Sequence, residues 1–224
     1  MKENSKGYVA IGDIHGCSKT LTELLKRLEN EFGETRTYVF IGDYVDRGPH
    51  SKEVVDILIE FSKSHDCVFL RGNHDAMLLR YQQDKSWVDW FDYGGDATME
   101  SYYQSCPDSK IPYAHLKFFI NTKLYYESED FLFVHGGLPI DKTVAEALAD
   151  ESIHSSFLWT RDHINKEVQK WEKTVIFGHT PDRSPIHRKN MIGIDTGCVY
   201  QQYGKLTAVA LPERDFIQQK NIDF

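Results

Sequence analysis

The chain has 224 residues, of which 41% are hydrophobic and 27% are charged, a composition typical of a folded protein with a sizeable core. Its formal net charge of −8 argues against nucleic acid as a partner, because phosphate backbones attract basic surfaces. No apolar run approaches the roughly 20 residues that span a bilayer.

The polar residues 1–6 lack the apolar stretch of a secretory signal. We therefore expect a cytoplasmic protein without a membrane or nucleic-acid partner. The cysteines stand at positions 17, 67, 106 and 198 with no Cys-x-x-Cys spacing. In a cytoplasm we expect all four to be reduced.

Strands and helices alternate in the first third of the chain. Three short apolar runs are typical of buried strands: residues 8–11, 38–41 and 67–70. Between them, apolar residues recur at helical spacing over residues 21–32 and 54–61. Thr20 and Glu23 have the spacing of a capping box at the first helix start. This β-α-β-α-β order predicts parallel strands joined by helical crossovers.

Residues 76–121 follow, and their aromatic-rich pattern predicts a helical region. Beyond them the pattern becomes strand-rich. Five further strands are predicted: residues 124–126, 131–134, 174–177, 191–194 and 206–211. Residues 215–224 have no clear assignment. Runs of strands after a βαβ half predict an α/β fold in which two sheets pack together with helices outside.

Three motifs follow the first three predicted strands. They are Gly-Asp-Ile-His-Gly at residues 12–16, Gly-Asp-Tyr-Val-Asp-Arg-Gly at residues 42–48 and Gly-Asn-His-Asp at residues 72–75. In a parallel sheet the carboxyl ends of the strands lie along one edge, where ligands usually bind. We therefore expect the three motifs to converge on one crevice.

The motifs offer Asp, His and Asn side chains, a mixture that suits Mn, Fe or Zn better than an all-oxygen cage for Mg or Ca. His135 and His179 also stand at the ends of apolar strands. Because one carboxylate can bridge two cations, we predict a dinuclear site. The other histidines lack this context and are expected to be surface or packing residues: His50, His65, His115, His154, His163 and His187.

The segments GDIHG, GDYVDRG, GNHD, FVHGG and FGHT resemble the motifs of the PPP family of metallophosphatases, within the calcineurin-like superfamily. The resemblance runs from residue 8 to about residue 200. It implies the calcineurin-like fold, in which two packed mixed β-sheets are flanked by helices. It also implies one catalytic domain over residues 1–224, with residues 76–121 as a helical, aromatic-rich lid region.

The same resemblance implies two divalent metal ions per chain, with Mn as the first choice and Fe or Zn as alternatives. The ligands of one ion would be Asp13, His15 and Asp43. The ligands of the second would be Asp43, Asn73, His135 and His179, so that Asp43 bridges the ions. A water between two such ions loses a proton near neutral pH and becomes the hydroxide that attacks phosphate.

Four further residues match catalytic positions of the family. Arg47 would bind phosphate oxygens, and Arg161 resembles the second phosphate arginine of bacterial and phage members. His74 resembles the general acid that protonates the leaving oxygen. Asp46 would orient His74 and favour its charged form.

Two acidic residues match the family outside these roles. Asp75 stands where many eukaryotic relatives have Glu, and this points to a bacterial-type member. Asp195 resembles a late family motif near the site. For Asp195 a supporting role in the site and a simple turn are both open.

Two substrates compete within the family. A bacterial- or phage-type serine/threonine protein phosphatase, acting on a phosphoprotein or phosphopeptide, is favoured by Asp46. A serine alkoxide is a poor leaving group and needs the proton that an Asp-supported His74 would supply. The main bacterial diadenosine hydrolases have a similar motif but carry a different residue at the position of Asp46. The alternative is a symmetrical diadenosine tetraphosphate hydrolase, acting on a dinucleoside polyphosphate.

Aromatic residues of the region 76–121 bear on the choice between the two substrates. Trp87, Trp90, Phe91 and Tyr93 would either form a wall that stacks adenine or pack a helix on the core, and the second is favoured. A third hypothesis is a non-catalytic metal-binding scaffold, which predicts that the acid or the arginines are lost. All of them are present, so we expect an active metallophosphoesterase. We also expect the protein to be a monomer.

Overall fold

Two five-stranded β-sheets form the centre of the computed structural model, which describes residues 7–105 and 110–224. The strands of the two sheets are β1 (Gly7–Ile11), β2 (Arg36–Phe40), β3 (Cys67–Phe69), β4 (Tyr125–Glu127), β5 (Phe131–Val134), β6 (Thr174–Phe177), β7 (Ile186–Arg188), β8 (Met191–Gly193), β9 (Lys205–Leu211) and β10 (Asp215–Lys220).

The first sheet has the strand order β10-β9-β1-β2-β3, in which β1, β2 and β3 are parallel and β9 is antiparallel to both of its neighbours. The second sheet has the order β4-β5-β6-β8-β7. Its inner strands β5, β6 and β8 are parallel, and its edge strands are antiparallel to their neighbours. Each sheet therefore supplies three parallel strands whose carboxyl ends can carry a site.

Helices cover the outer faces of the sheets. The α-helices in the described residues are α1 (Ser18–Phe32), α2 (Ser51–Phe61), α3 (Asn73–Gln83), α4 (Gly95–Ser105), α5 (Tyr113–Ile120) and α6 (Val144–Ala149). Three 3₁₀ segments accompany them: Gly33–Thr35, Val88–Tyr93 and Glu151–Leu158. None of these helices combines the length and the apolar character needed to cross a bilayer.

Alternate residues of each strand face opposite sides of a sheet, and this alternation builds four layers. Val39 and Phe133 pack between the two sheets. Phe40 faces the helices on the outer side of the first sheet. Leu132 packs with α6 residues on the outer side of the second sheet. The predicted α/β fold with two packed mixed sheets between helices is therefore confirmed.

Most predicted elements lie within one or two residues of the observed ones, and residues 76–121 are largely helical as expected. Two strands were not predicted, β7 and β10. No disulfide joins Cys17, Cys67 or Cys198 in the described residues, and Cys106 lies outside them.

The capping box predicted for the start of α1 is wrong. The helix begins at Ser18, and the preceding residue provides no side-chain cap. The Asp223 carboxylate instead accepts the backbone N–H groups of Lys19 and Thr20, both at 3.0 Å, and the Thr20 hydroxyl at 2.6 Å. Nδ1 of His50 lies 3.3 Å from the same carboxylate. A residue about 200 positions away in the sequence therefore caps this helix.

We expect Asp223→Ala to lower the free energy of unfolding by about 1–2 kcal/mol, because three donors at the helix start lose their acceptor. Urea unfolding measures the change. Asp215→Ala is the matched control, since it removes an exposed carboxylate from the neighbouring strand β10. An unchanged midpoint and slope for Asp223→Ala would show that water replaces the cap without cost.

Candidate active site

The predicted motifs meet in one buried site. Its residues follow the carboxyl ends of β1, β2, β3, β5 and β6, so both sheets contribute. The side chains predicted to bind metal are all buried there: Asp13, His15, Asp43, Asn73, His135 and His179. The convergence of the first three motifs was expected from their strand-end positions, and the arrival of His135 and His179 at the same site was implied by the resemblance to the family.

Asp43 lies between two histidines. Its Oδ2 atom is 3.5 Å from Nε2 of His15 and 3.4 Å from Nε2 of His135. Nδ1 of His15 donates to the Val45 carbonyl at 2.8 Å, and Nδ1 of His135 donates to the Ile41 carbonyl at 3.0 Å. These bonds fix each ring so that Nε2 faces Asp43, the arrangement that a bridging carboxylate requires.

Asn73 lies between two histidines that are predicted, like Asn73 itself, to bind the second metal ion. Its Oδ1 atom lies 2.9 Å from Nε2 of His135 and 2.8 Å from Nδ1 of His179. Burial would lower the pKa of His135, but the charge and hydrogen bond of Asp43 outweigh it and raise the pKa to about 9. The oxygen atoms around His135 thus strongly favour a positive charge at this point.

Asp13 carries a buried atom that lacks a partner. Its Oδ2 accepts the backbone N–H of His179 at 2.9 Å, whereas its Oδ1 has no hydrogen-bond partner among the described residues. Burial, together with the nearby charge of Asp195, raises the pKa of Asp13 well above its ordinary value. A cation beside Asp13 would relieve both costs.

The residues present therefore fit a pair of divalent cations. Ligand-bearing atoms within 4.8 Å of one another form two groups, His15 with Asp43 and His74, and Asp43 with His135 and His179. Carboxylate, imidazole and amide ligands without a thiolate suit Mn, Fe or Zn. Such ions would supply positive charge for phosphate oxygens and make a water acidic enough to attack phosphorus.

Two glycines of the motifs are required by close approach to ligands. A Cβ at Gly72 would lie 2.0 Å from Oδ1 of Asp43, and a Cβ at Gly178 would lie 2.0 Å from Oδ1 of Asp13. Both distances are far below a van der Waals contact, so any larger residue would displace the carboxylate.

Backbone strain is concentrated in the site. Five of the six non-glycine residues with positive φ in the described chain belong to it: His15, Asp43, Asp46, Arg47 and His179. Each such residue costs about 1–3 kcal/mol and persists only where its surroundings hold it in place. The loops are therefore held in a conformation that serves the site rather than local stability.

His74 and Asp46 form a hydrogen-bonded pair. Nδ1 of His74 lies 2.7 Å from Oδ2 of Asp46, which also accepts the Trp90 indole N–H at 2.7 Å. The other oxygen of Asp46 accepts the Thr98 hydroxyl at 2.7 Å. Burial raises the pKa of Asp46, although these hydrogen bonds oppose the shift. The orientation predicted for His74 is therefore fixed by Asp46, which is itself held by Trp90 and Thr98 of the region 76–121.

For Trp90, the structure decides between the two predicted roles of the aromatic residues, stacking on adenine and packing on the core. Trp90 is fully buried, packs in the core and turns its indole N–H to Asp46, so it cannot stack on a base. Trp87 and Phe91 pack partly against the same core, while Tyr93 is half exposed. The predicted packing role is thus confirmed for Trp90, whose contact with Asp46 was not predicted.

Both predicted phosphate arginines reach ring nitrogens in the site. Arg47 lies with Nη1 3.0 Å from Nε2 of His15 and Nη2 3.0 Å from Nε2 of His74. Arg161 donates from Nε to Nε2 of His179 at 2.9 Å. Both guanidinium groups are therefore within one hydrogen bond of the predicted ligands or acid, where a phosphate oxygen could replace the ring nitrogen as acceptor.

Asp75 has a role that the sequence did not indicate. Its carboxylate accepts the backbone N–H groups of Asp43, Tyr44 and Gly72 at 2.8–3.1 Å, and so ties the second motif to the third. Asp195 accepts the N–H of Gly197 at 2.9 Å in a local turn. Burial raises the pKa of Asp195 to about 6.

His163 is buried with no hydrogen-bond partner at either nitrogen among the described residues, in line with its predicted packing role. Its ring packs against Phe177 and Trp171. Burial lowers the pKa of His163 to about 4. The unfolded chain therefore binds the proton more tightly, and the stability contributed by the neutral ring is lost as pH falls from 6.5 towards 4.

We expect His163→Phe to reduce this acid sensitivity. Between pH 8 and pH 5 the wild type should lose about 2 kcal/mol more of its free energy of unfolding than the variant does. Urea unfolding of both chelator-treated proteins at the two pH values measures the difference. Equal losses in the two proteins would mean that His163 is solvated or relaxes when it is protonated.

A family model described as calcineurin-like phosphoesterase matches residues 8–221. Bis(5′-nucleosyl)-tetraphosphatase PrpE (asymmetrical) of Oceanobacillus iheyensis is 28% identical over 227 residues, which cover 92% of this chain and 89% of that protein. The protein of the same name from Halalkalibacterium halodurans is 30% identical over 229 residues, which cover 92% of this chain and 91% of that protein.

Solved structures of phosphatases also resemble this chain. A crystal structure provisionally named as a diadenosine tetraphosphatase has a TM-score of 0.68 and 25% identity, and the match covers 96% of this chain and 94% of that chain. A cold-active protein-tyrosine phosphatase of a Shewanella species shares the fold, with a TM-score of 0.67 and 20% identity over 98% of this chain and 79% of that chain. Since the family model spans nearly the whole sequence, the chain belongs to the calcineurin-like phosphoesterase family.

Proposed function

We propose that this metallophosphoesterase hydrolyses dinucleoside tetraphosphates asymmetrically, giving a nucleoside triphosphate and a nucleoside monophosphate. The observation that carries the proposal is the alignment with relatives named for this activity, which extends over about nine-tenths of both chains. Asymmetrical cleavage thus replaces the phosphoprotein, which the sequence favoured, as the first choice. It also replaces symmetrical cleavage of a dinucleotide, which was the alternative.

The residues of the site support hydrolysis at phosphorus. Asp13, His15 and Asp43 would hold one cation. The second would be held by Asp43 together with Asn73, His135 and His179. Arg47 and Arg161 would turn from the histidine nitrogens to phosphate oxygens, which match the planar donors of a guanidinium. Charge that develops on the phosphate would then meet fixed positive groups.

His74 would deliver a proton to the leaving oxygen. Its Nδ1 is committed to Asp46, so Nε2 is the atom that faces the reacting group, beside the Arg47 guanidinium. This pair also supports a second candidate function, hydrolysis of phosphoserine or phosphothreonine, because an alkoxide leaving group needs that proton most.

The test begins with chelator-stripped protein to which Mn²⁺ is added. Diadenosine tetraphosphate and a phosphothreonine peptide are supplied separately, and the products are resolved by chromatography. ATP with AMP supports the proposal, whereas two molecules of ADP would establish symmetrical cleavage. Phosphate release from the peptide with no cleavage of the dinucleotide would move the second candidate to first place.

A further inference from the structure

Aromatic side chains are exposed at two places at the end of the second sheet that carries the site. The first group is Trp159 alone, and the second is a cluster that contains Tyr200. Trp159 is 47% exposed, and Tyr200 is 39% exposed. Exposed aromatic rings beside a site that binds phosphate offer flat faces on which a nucleobase can stack.

Trp159 borders the predicted metal centre directly. It follows the 3₁₀ segment Glu151–Leu158, which is fastened to the end of β5 by a 2.7 Å hydrogen bond from the Gly136 N–H to the Phe157 carbonyl. The Trp159 ring meets the His179 ring edge to face, with centroids 6.0 Å apart. A base next to the reacting phosphate could therefore reach this indole.

The second group consists of two tyrosines and an arginine. The rings of Tyr200 and Tyr203 stack with centroids 5.5 Å apart at an angle of 19°, and the Arg183 guanidinium lies 5.3 Å from the centroid of Tyr203. Arg183 lies in the loop after β6, and Tyr200 lies in the loop after β8. A 3.1 Å hydrogen bond from the Asp182 N–H to the Asp195 carbonyl joins the two loops. The cluster therefore offers aromatic faces and a cation together.

Strand order places the two groups on opposite sides of His179. Trp159 is attached beside β5, His179 follows β6, and Tyr200 lies beyond β8, while the sheet runs in the order β5-β6-β8. A ligand centred on His179 can therefore extend towards Trp159 in one direction and towards the tyrosines in the other.

We propose that the two groups bind the two nucleobases of a dinucleoside polyphosphate. Trp159 stacks on the base nearer the reacting phosphate, and Tyr200 stacks on the farther base, with Arg183 meeting the intervening phosphates. The inference rests on the proposed function and deepens it. The Trp159 ring contacts His179, whereas Tyr200 lies beyond the next strand, β8. This asymmetry places the attack nearer the base on Trp159, as asymmetrical cleavage requires. Stacking tolerates any base because every base has a π-face.

Three substrates with two, one and no bases test the proposal: diadenosine tetraphosphate, adenosine tetraphosphate and p-nitrophenyl phosphate. Relative to the change on nitrophenyl phosphate, Trp159→Ala should raise KM for both nucleotides roughly 5- to 150-fold, the range expected for loss of one stacked base. Tyr200→Ala should raise it to a similar extent for the dinucleotide alone. Trp159→Phe keeps a ring and should recover most of the affinity.

Tyr113→Ala is the control, because Tyr113 is a 79% exposed aromatic residue at the start of α5. Mn²⁺ content is measured for every variant, since Trp159 contacts His179. If the wild type cleaves the dinucleotide and neither variant shifts the KM ratio, the inference is wrong and the proposed function stands. If only one variant shifts the KM ratio, the base contact proposed for the other group is wrong. If the wild type cleaves the phosphopeptide but not the dinucleotide, the proposed function itself fails.

Discussion

Replacing Asp43 by Asn is expected to remove both metal binding and phosphoesterase activity. Oδ2 of Asp43 lies within 3.5 Å of the facing nitrogens of His15 and His135. Burial would raise the pKa of Asp43, but the charges of His135 and His74 outweigh it and hold the pKa well below its ordinary value. The side chain is therefore a carboxylate at neutral pH, and Asn keeps its shape without its charge.

The measurement is Mn²⁺ content per chain after equilibrium dialysis, together with hydrolysis of nitrophenyl phosphate. Mn²⁺ affinity should fall by more than about 100-fold, because residues that only support ligands already cost about 10- to 100-fold. Circular dichroism checks that the variant is folded. Asp141→Asn, which alters an exposed carboxylate, is the control. Asp43→Asn protein that keeps both ions and full activity would contradict the bridging role.

The positions of the predicted ligands followed from local sequence. Each lies just after a short apolar strand or at the start of the next helix, and the parallel order of β1, β2 and β3 forces such positions to one edge of a sheet. Only a βαβ order and strand-end polar residues are needed for that inference. The convergence of the two sheets on one site, by contrast, was implied by the resemblance to a family.

Contacts between distant polar groups could not be predicted. The Asp223 cap on α1, the Asp75 ties between two motifs and the Trp90 bond to Asp46 join residues that no spacing rule connects. Strand β10 was missed because Asp215–Lys220 is polar, and only Ile217 is buried. An edge strand of this kind is defined by the partner it pairs with rather than by its own pattern.

The choice of substrate was the weakest part of the sequence interpretation for a physical reason. The motifs surround the reacting phosphorus, where hydrolysis of an ester and of an anhydride makes similar demands. We propose that residues such as Trp159 and Tyr200 distinguish a base from a peptide. They stand near Arg161 and Asp195, which match the family, but those matches concern the site around the phosphorus and not the rest of the substrate. Asp46 therefore reports on the acid and says little about what the rest of the substrate is.

Replacing His74 by Asn is expected to slow hydrolysis in proportion to the basicity of the leaving group. The variant keeps a donor near the Nδ1 position that bonds Asp46 at 2.7 Å, but it loses the nitrogen that would donate a proton. General acid catalysis contributes roughly 10²- to 10⁴-fold, so kcat on a phosphothreonine peptide should fall by that factor. Nitrophenolate leaves without a proton, and kcat on nitrophenyl phosphate should fall far less.

The dinucleotide should behave like nitrophenyl phosphate, because a nucleotide leaves as a weakly basic phosphate anion. Parallel assays of the three substrates, with Mn²⁺ content measured for the variant, give the comparison. Equal losses on all three would count against His74 as the acid and favour a role in holding Arg47, which it contacts at 3.0 Å. A selective loss on the peptide would show that the Asp46–His74 pair equips this site for phosphomonoesters as well as for the anhydride we propose.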